Sequence, residues 1–163
     1  MEDKENINFI FQLENKGQSN NYFLLFILSF VAFLGIAFYF VATNQTWELI
    51  ANIVIAVTYF FVMGKIKPSF FELLVTEQQL QVNFYSIFTV ARNYQSIEMD
   101  LAQLKDFRIE KKFWGMRKEL TLTVESRFGL ADYPAVSLST LKKADIARIE
   151  KVLSQILSNN HRA

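Results

Sequence analysis

Few side chains in this 163-residue sequence could catalyse a reaction. There is no Cys, and the single histidine, His161, follows the last periodic apolar residue close to the end of the sequence. Thiolate metal sites, disulfides and cysteine nucleophiles are therefore excluded. A tail is also a poor place for a preorganised histidine base. Glycine-rich nucleotide loops and the GxSxG and HExxH motifs do not occur in the sequence.

One pair of carboxylates has a spacing that suits a metal or an acid–base site. Glu98 and Asp100 are two residues apart and would project from the same face of a strand. The alternative is an ordinary solvent face, since the opposite face would carry Ile97, Met99 and Leu101. The alternation favours this alternative. We therefore expect a protein that is not an enzyme and that has no catalytic residue, no metal site and no cofactor.

The residues best suited to binding form a basic–aromatic run at positions 111–118, KKFWGMRK. Gly115 is placed to form the turn between two strands. Aromatic rings at such a tip can insert among lipid headgroups while the cations meet phosphates. Alternatively, the rings pack on the domain and the cations are merely solvated, and the sequence leaves both possibilities open. The candidate lipid- or partner-binding residues are Lys111, Lys112, Phe113, Trp114, Arg117 and Lys118. Four cations in one loop are a weak footprint for nucleic acid, so no nucleic-acid partner is expected.

Two long apolar segments determine where these candidate residues lie relative to a membrane. Residues 22–42 (YFLLFILSFVAFLGIAFYFVA) contain no charged side chain, and as a helix they span about 31 Å, close to the ~30 Å hydrocarbon core of a bilayer. A second apolar run begins at Trp47 and ends at Gly64, with Glu48 in its first turn. A short polar break separates the two runs. The sequence thus predicts an antiparallel hairpin of transmembrane helices over residues 21–42 and 47–64.

The charges around the hairpin predict its orientation. The break at residues 43–46 has no Lys or Arg, whereas Lys4 and Lys16 precede the hairpin and Lys65 and Lys67 follow it. Because positive residues prefer the cytoplasmic side, we expect an integral membrane protein with both termini in the cytoplasm. The acidic start of the sequence is unlike a secretory signal.

Polar and small residues inside the hairpin suggest how its helices meet. Asn52 either lines a path or binds a partner, or it forms an interhelical hydrogen bond, and we favour the hydrogen bond. Small residues suited to a close approach of the helices are Ala32, Gly35, Ala51 and Ala56. No ionisable group lies deep in either segment, which argues against an ion pathway or a transporter.

Pro68 marks a change from membrane-type to strand-type patterning. Short runs of alternating apolar and polar residues predict strands over 70–76, 79–85, 88–94, 97–101, 104–112, 118–125 and 135–138. The period then becomes helical, with an apolar stripe of Ile146, Ile149, Leu153 and Ile156. Ser139 or Thr140 is the expected N-cap, and residues 158–160 should end this helix.

The order of these elements resembles that of bacterial membrane proteins with a pleckstrin-homology-like (PH-like) domain. The most telling segments are residues 70–85 and the terminal SLSTLKKADIARIEKVLSQIL. The resemblance covers most of the chain, but it rests on a pattern of elements and carries no catalytic or binding residues with it. It implies a bacterial inner-membrane protein with a membrane α-helical hairpin and an α+β, mainly-β domain over residues 68–160. That domain would be a small antiparallel sandwich or barrel closed by the C-terminal helix.

The segment before the hairpin, residues 1–20, has its own alternation. Ile7, Phe9, Phe11 and Leu13 would share one face. This pattern fits either a strand added to the sheet of the soluble domain or a segment lying on the membrane. The local net charge of −2 would be repelled by anionic lipid, so we favour the added strand.

Together these features predict a non-enzymatic, membrane-anchored interaction module. Its PH-like domain would bind a protein partner or anionic lipid headgroups at the cytoplasmic leaflet. Residues 65–163 contain 15 Lys and Arg against 11 Asp and Glu, which agrees with a surface facing anionic lipid. The alternative is a structural accessory subunit of a larger inner-membrane complex. In that case the rings of Phe23, Phe26, Phe30 and Phe33 would pack on other subunits.

Overall fold

A computed structural model of the protein describes residues 10–88, 94–126 and 129–160. It consists of a helical hairpin inserted between the first and second strands of a β domain, which ends in a third helix. The strands are β1 (Phe11–Glu14), β2 (Ser69–Val75), β3 (Gln79–Ser86), β4 (Gln95–Asp100), β5 (Leu104–Lys112), β6 (Arg117–Ser126), β7 (Gly129–Asp132) and β8 (Val136–Ser137). The helices are α1 (Lys16–Ala42), α2 (Thr46–Ile66) and α3 (Lys143–Asn160), and a short 3₁₀ turn covers Leu101–Gln103.

The hairpin is formed by α1 and α2, both long and apolar enough to cross a membrane. Their contact is largely aromatic, since the Phe60 ring lies 5.4 Å from that of Phe26 and 5.9 Å from those of Phe30 and Phe33. Asn52 is buried and donates from Nδ2 to the carbonyl oxygen of Phe33 at 3.2 Å. The favoured interhelical hydrogen bond of Asn52 is thus confirmed.

One of the small residues expected at the helix–helix contact is not there. No described side chain lies within 4 Å of the position that a β-carbon on Gly35 would take. Aromatic packing, rather than close backbone approach at this glycine, joins the helices. The turn between them uses Asn44 at a φ of 57°, a left-handed conformation that Asn tolerates better than most residues.

Two antiparallel sheets and α3 enclose the core of the β domain. The first sheet has the order β1-β2-β3-β4, and in the second sheet β6 pairs with β5 on one side and with β7 and β8 on the other. Alternate residues of most strands point inward, as the alternation predicts, and α3 covers them with Ile146, Ile149 and Leu153. The expected combination of a helical hairpin with a β domain and a C-terminal helix is confirmed.

The strand before the hairpin belongs to the same sheet as the strand after it. Leu13 of β1 pairs with Leu73 of β2, and the amide of Asn15 donates to the Phe71 carbonyl oxygen at 3.1 Å. The added strand expected in residues 1–20 is therefore present over Phe11–Glu14, whereas Ile7 and Phe9 lie outside the described residues. Because β1 leads directly into α1 and α2 leads directly into β2, the base of the hairpin continues this sheet.

Three details of the strand and helix assignments differ from the sequence-based predictions. The N-cap prediction at Ser139 or Thr140 is wrong, because α3 begins at Lys143 and these two residues form a turn. The short strand β7 was not predicted. Most of the predicted strand at 88–94 lies outside the described residues, and its described ends, Phe88 and Tyr94, are not in a strand.

Candidate functional site

The β5–β6 turn carries the most exposed large apolar side chain among the described residues. Trp114 is 91% exposed, and its ring stacks on Phe113 at a centroid distance of 5.2 Å. Phe113 and Trp114 have φ values of 49° and 53°, followed by Gly115 at 83°. A left-handed conformation costs a residue with a β-carbon about 1 kcal/mol or more. Phe113 and Trp114 both adopt this unfavourable conformation at the turn. The Trp114 ring does not pack on the domain.

The four cations beside this turn lie opposite one another in pairs. Lys111 pairs with Lys118, and Lys112 pairs with Arg117, in the register of β5 and β6. Like charges directly across a sheet repel each other. Neither Lys111 nor Lys118 makes an ion pair with any described residue, so their repulsion is uncompensated within the described parts of the chain.

The second pair of cations is partly neutralised. Glu119 is 5% exposed and forms an ion pair with Arg117, and its other oxygen lies 3.7 Å from Lys112 Nζ. Lys112 also lies 3.0 Å from Glu110. Of the predicted binding residues, Lys111, Lys118 and Trp114 are therefore free to meet an anionic surface, whereas Arg117 is held by Glu119. The sequence pattern could not distinguish the free cations from the paired one, because the alternation along this strand predicts that Glu119 faces solvent.

The turn projects from the end of the domain that adjoins the hairpin. Ser69, three residues after α2, donates from Oγ to the carbonyl oxygen of Ser137 at 2.6 Å, and Ser137 pairs with Glu119. From Glu119, β6 leads back to the turn. The opposite end of β5 is at Leu104, whose carbonyl accepts from Asn160 at the far end of α3. We call the surface formed by Lys111, Phe113, Trp114 and Lys118 the cationic tip.

A buried polar cluster joins the hairpin to the domain, and sequence patterns did not reveal it. Asn15 Nδ2 donates to the Ser69 carbonyl at 3.1 Å and to Thr140 Oγ1 at 2.6 Å, and Asn15 Oδ1 accepts from the Phe71 amide at 2.8 Å. Thr140 Oγ1 also donates to Ser69 at 2.6 Å. Asn15, Ser69 and Thr140 are each at most 6% exposed. This junction cluster binds the start of α1, the start of β2 and the turn before α3 together.

The loop after β3 touches the first membrane-type helix. The Phe88 ring lies 4.6 Å from the ring of Phe26 in α1. Beside it, Tyr85 stacks on Phe70 at 4.7 Å and lies 4.6 Å from Tyr94. The end of the first sheet that faces the hairpin is therefore lined with aromatic rings.

Of the two carboxylates considered for a metal site, Glu98 belongs to a polar ladder on the outer face of the first sheet, and Asp100 lies at the end of β4. Glu98 Oε1 accepts from Gln81 at 3.0 Å and from Ser96 at 3.3 Å. Within residues 10–88, 94–126 and 129–160, no three His, Cys, Asp or Glu side chains are grouped so that they could hold a metal ion. His161 lies outside the described residues. Glu98 is held by hydrogen bonds on this exposed face of the sheet.

Comparisons with known proteins add no assignment: no protein-family model matches the chain, and no curated protein or solved structure is significantly similar to it.

Proposed function

We propose that this protein is a non-enzymatic, membrane-anchored interaction module whose cationic tip binds anionic lipid headgroups. The hairpin of α1 and α2 crosses the inner membrane of a bacterium, with both termini in the cytoplasm. The β domain, a PH-like module in this proposal, lies against the cytoplasmic leaflet. The hairpin keeps the domain beside the membrane, so that even a weak headgroup contact is made at a high effective concentration.

The proposal is supported by the exposure, the backbone conformation and the unpaired charges of the cationic tip. Trp114 is 91% exposed in a strained left-handed turn, and Lys111 faces Lys118 with neither paired to a carboxylate in the described parts of the chain. Strained residues of this kind concentrate at binding sites. Indole rings favour the membrane interface, and each Lys near an anionic surface contributes about 1 kcal/mol to attraction. Both features are unfavourable in water and favourable against anionic lipid.

Tryptophan fluorescence tests this proposal on the full chain. Trp47 and Trp114 are the two tryptophans, so Trp47→Phe leaves Trp114 as the single reporter. The protein is placed in lipid nanodiscs containing brominated phosphatidylcholine with or without phosphatidylglycerol. We expect a blue-shifted and bromine-quenched Trp114 only in the discs with anionic lipid. Emission at the wavelength of water-exposed indole in both lipids would overturn the proposal.

Charge variants show whether the two free lysines cause the docking. Lys111→Gln with Lys118→Gln should weaken docking by about 2 kcal/mol, which is about 30-fold. The matched control removes two cations remote from the tip, Lys105 and Lys151. Equal effects of the two double variants would mean that only overall charge matters and that the tip is not the site.

A structural accessory subunit is the second candidate function. Its support is reduced because Phe26, Phe30 and Phe33 already contact Phe60 of the same hairpin. Phe38, 77% exposed near the end of α1, is a remaining outward-facing ring. Purification in mild detergent distinguishes the two functions, since a stoichiometric partner protein favours the accessory subunit and purification without one disfavours it.

A further inference from the structure

The contact between Phe88 and α1 defines the height at which the domain meets the bilayer. Phe26 lies four residues, about 6 Å along the helix, beyond Tyr22, where the apolar run of α1 begins. A ring stacked at Phe26 therefore reaches below the headgroups once the hairpin spans the membrane. The amide of Ile87 donates to the Pro68 carbonyl at 3.2 Å, which brings the end of β3 beside the end of α2. If the hairpin spans the membrane as proposed, residues at this position lie at the level of the lipid phosphates.

A cleft of about 290 Å³ opens at this level, between the end of α2, the first sheet and β8. Its polar lining comprises Lys67, Ser69, Ser86, Gln95 and Ser137, together with the ring of Tyr85, and none of the described carboxylates lines it. We call it the junction cleft. Its chemistry is that of an anion site with neutral hydrogen-bonding groups around a single cation.

Lys67 is held at the cleft by the backbone. It follows α2 in the left-handed conformation, with a φ of 49°. It forms no ion pair with any described residue. Lys65, two residues earlier, instead lies over the Phe61 ring of its own helix at 5.2 Å. Of the two cations at this height, Lys67 is the one that faces the cleft.

We propose that the junction cleft binds the headgroup of one anionic, hydroxylated glycerophospholipid, of the phosphatidylglycerol type. Lys67 meets the phosphodiester, Gln95 hydrogen-bonds the glycerol hydroxyls, and hydroxyl oxygens of the lining serines accept from them in addition to the bonds that these serines already make. A choline headgroup would place a second cation beside Lys67 and offers no hydrogen-bond donor. The inference rests on the membrane insertion in the proposed function, but not on the cationic tip.

Native mass spectrometry of the full chain in detergent, titrated with lipid, tests this site. We expect the wild type to retain one phosphatidylglycerol but not phosphatidylcholine. Lys67→Gln should weaken this retention at least about five-fold, the effect of one cation near the phosphate. The matched control, Lys65→Gln, removes the same charge at the same height and should retain the lipid. Lys111→Gln with Lys118→Gln should also retain it.

Each contrary outcome has a separate meaning. Equal retention by the Lys67 and Lys65 variants, or equal retention of the two lipids, overturns the cleft as the site. Binding of glycerol 3-phosphate in detergent as strong as that of the lipid would identify a free phosphate ester as the ligand and overturn the lipid. A chain that does not enter lipid nanodiscs overturns the membrane insertion of the proposed function and this inference with it. Insertion without lipid retention overturns the inference alone.

Discussion

Replacing Asn15 by Ala should uncouple the hairpin from the β domain. The change removes the two bonds donated by Asn15 Nδ2 and the acceptor of the Phe71 amide. The Ser69 carbonyl keeps its bond from Thr140, so the group left buried without a partner is the Phe71 N–H. An orphaned buried amide costs about 1–3 kcal/mol, and the lost bonds add about 1 kcal/mol. We therefore expect the domain to lose about 2–4 kcal/mol of unfolding free energy.

Pulse proteolysis in urea measures this loss, because a protease cuts the unfolded domain while the hairpin stays protected in its micelle. With a urea dependence of about 1–2 kcal/mol per molar, the unfolding midpoint should fall by about 1–4 M. The control is Gln12→Ala on the same strand, whose exposed side chain makes one long contact of 3.5 Å with Glu72. Its effect should stay within about 0.5 kcal/mol. A midpoint for Asn15→Ala equal to that of the control would refute the idea that the junction cluster holds the two parts together.

Three further substitutions probe the tip and the hairpin. Phe113→Asn with Trp114→Gly should raise the free energy of unfolding of the domain by about 1–2 kcal/mol, because Asn-Gly suits a left-handed turn. This gain would be measured as a higher urea midpoint. An unchanged midpoint would show that the turn is unstrained. Glu119→Gln should lower domain stability by about 1–3 kcal/mol because a charge-assisted bond is lost. It should also increase bromine quenching of Trp114 by raising the charge of the tip, and a fall in both readouts would contradict the electrostatic assignment. Asn52→Val should weaken the hairpin by about 0.6–1 kcal/mol in an SDS titration followed by circular dichroism. The control, Thr58→Val, removes a hydrogen bond within one helix and should not weaken the hairpin. Equal losses for the two variants would show that Asn52 does not stabilise the contact between the helices.

The sequence predicts elements with a strong period and misses those determined by distant contacts. The strand predicted over 104–112 has the bounds of β5, because Phe107 and Ile109 alternate with charged residues, and the bulge between Leu104 and Asp106 shifts the register without ending the strand. The four residues of β7, Gly129–Asp132, are all exposed, so no buried alternation signals this strand. Thr140 looks like a helix cap, but its partners Asn15 and Ser69 lie 125 and 71 residues away in the sequence. No local pattern contains such partners.

The same limit applies to the candidate site. The basic–aromatic run is visible in the sequence, and so is the glycine that turns it. Which cations stay free depends on the β5–β6 register and on the burial of Glu119, and both follow from tertiary packing. The junction cleft is assembled from four segments of the sequence, and the outermost of its lining residues, Lys67 and Ser137, are 70 positions apart.

If the hairpin crosses a membrane as proposed, the pairing of β1 with β2 depends on how the chain is inserted. These strands stand before and after the hairpin, so they can meet only if the chain between them returns to the side from which it left. In a nascent chain with one helix inserted and the other left out, β1 and β2 would lie on opposite sides of the bilayer. The domain would then lack an edge strand, and the apolar residues of β2 would stay open to quality-control proteases. If the hairpin crosses a membrane as proposed, correct crossing during synthesis is thus a precondition for folding the domain, whatever that domain binds.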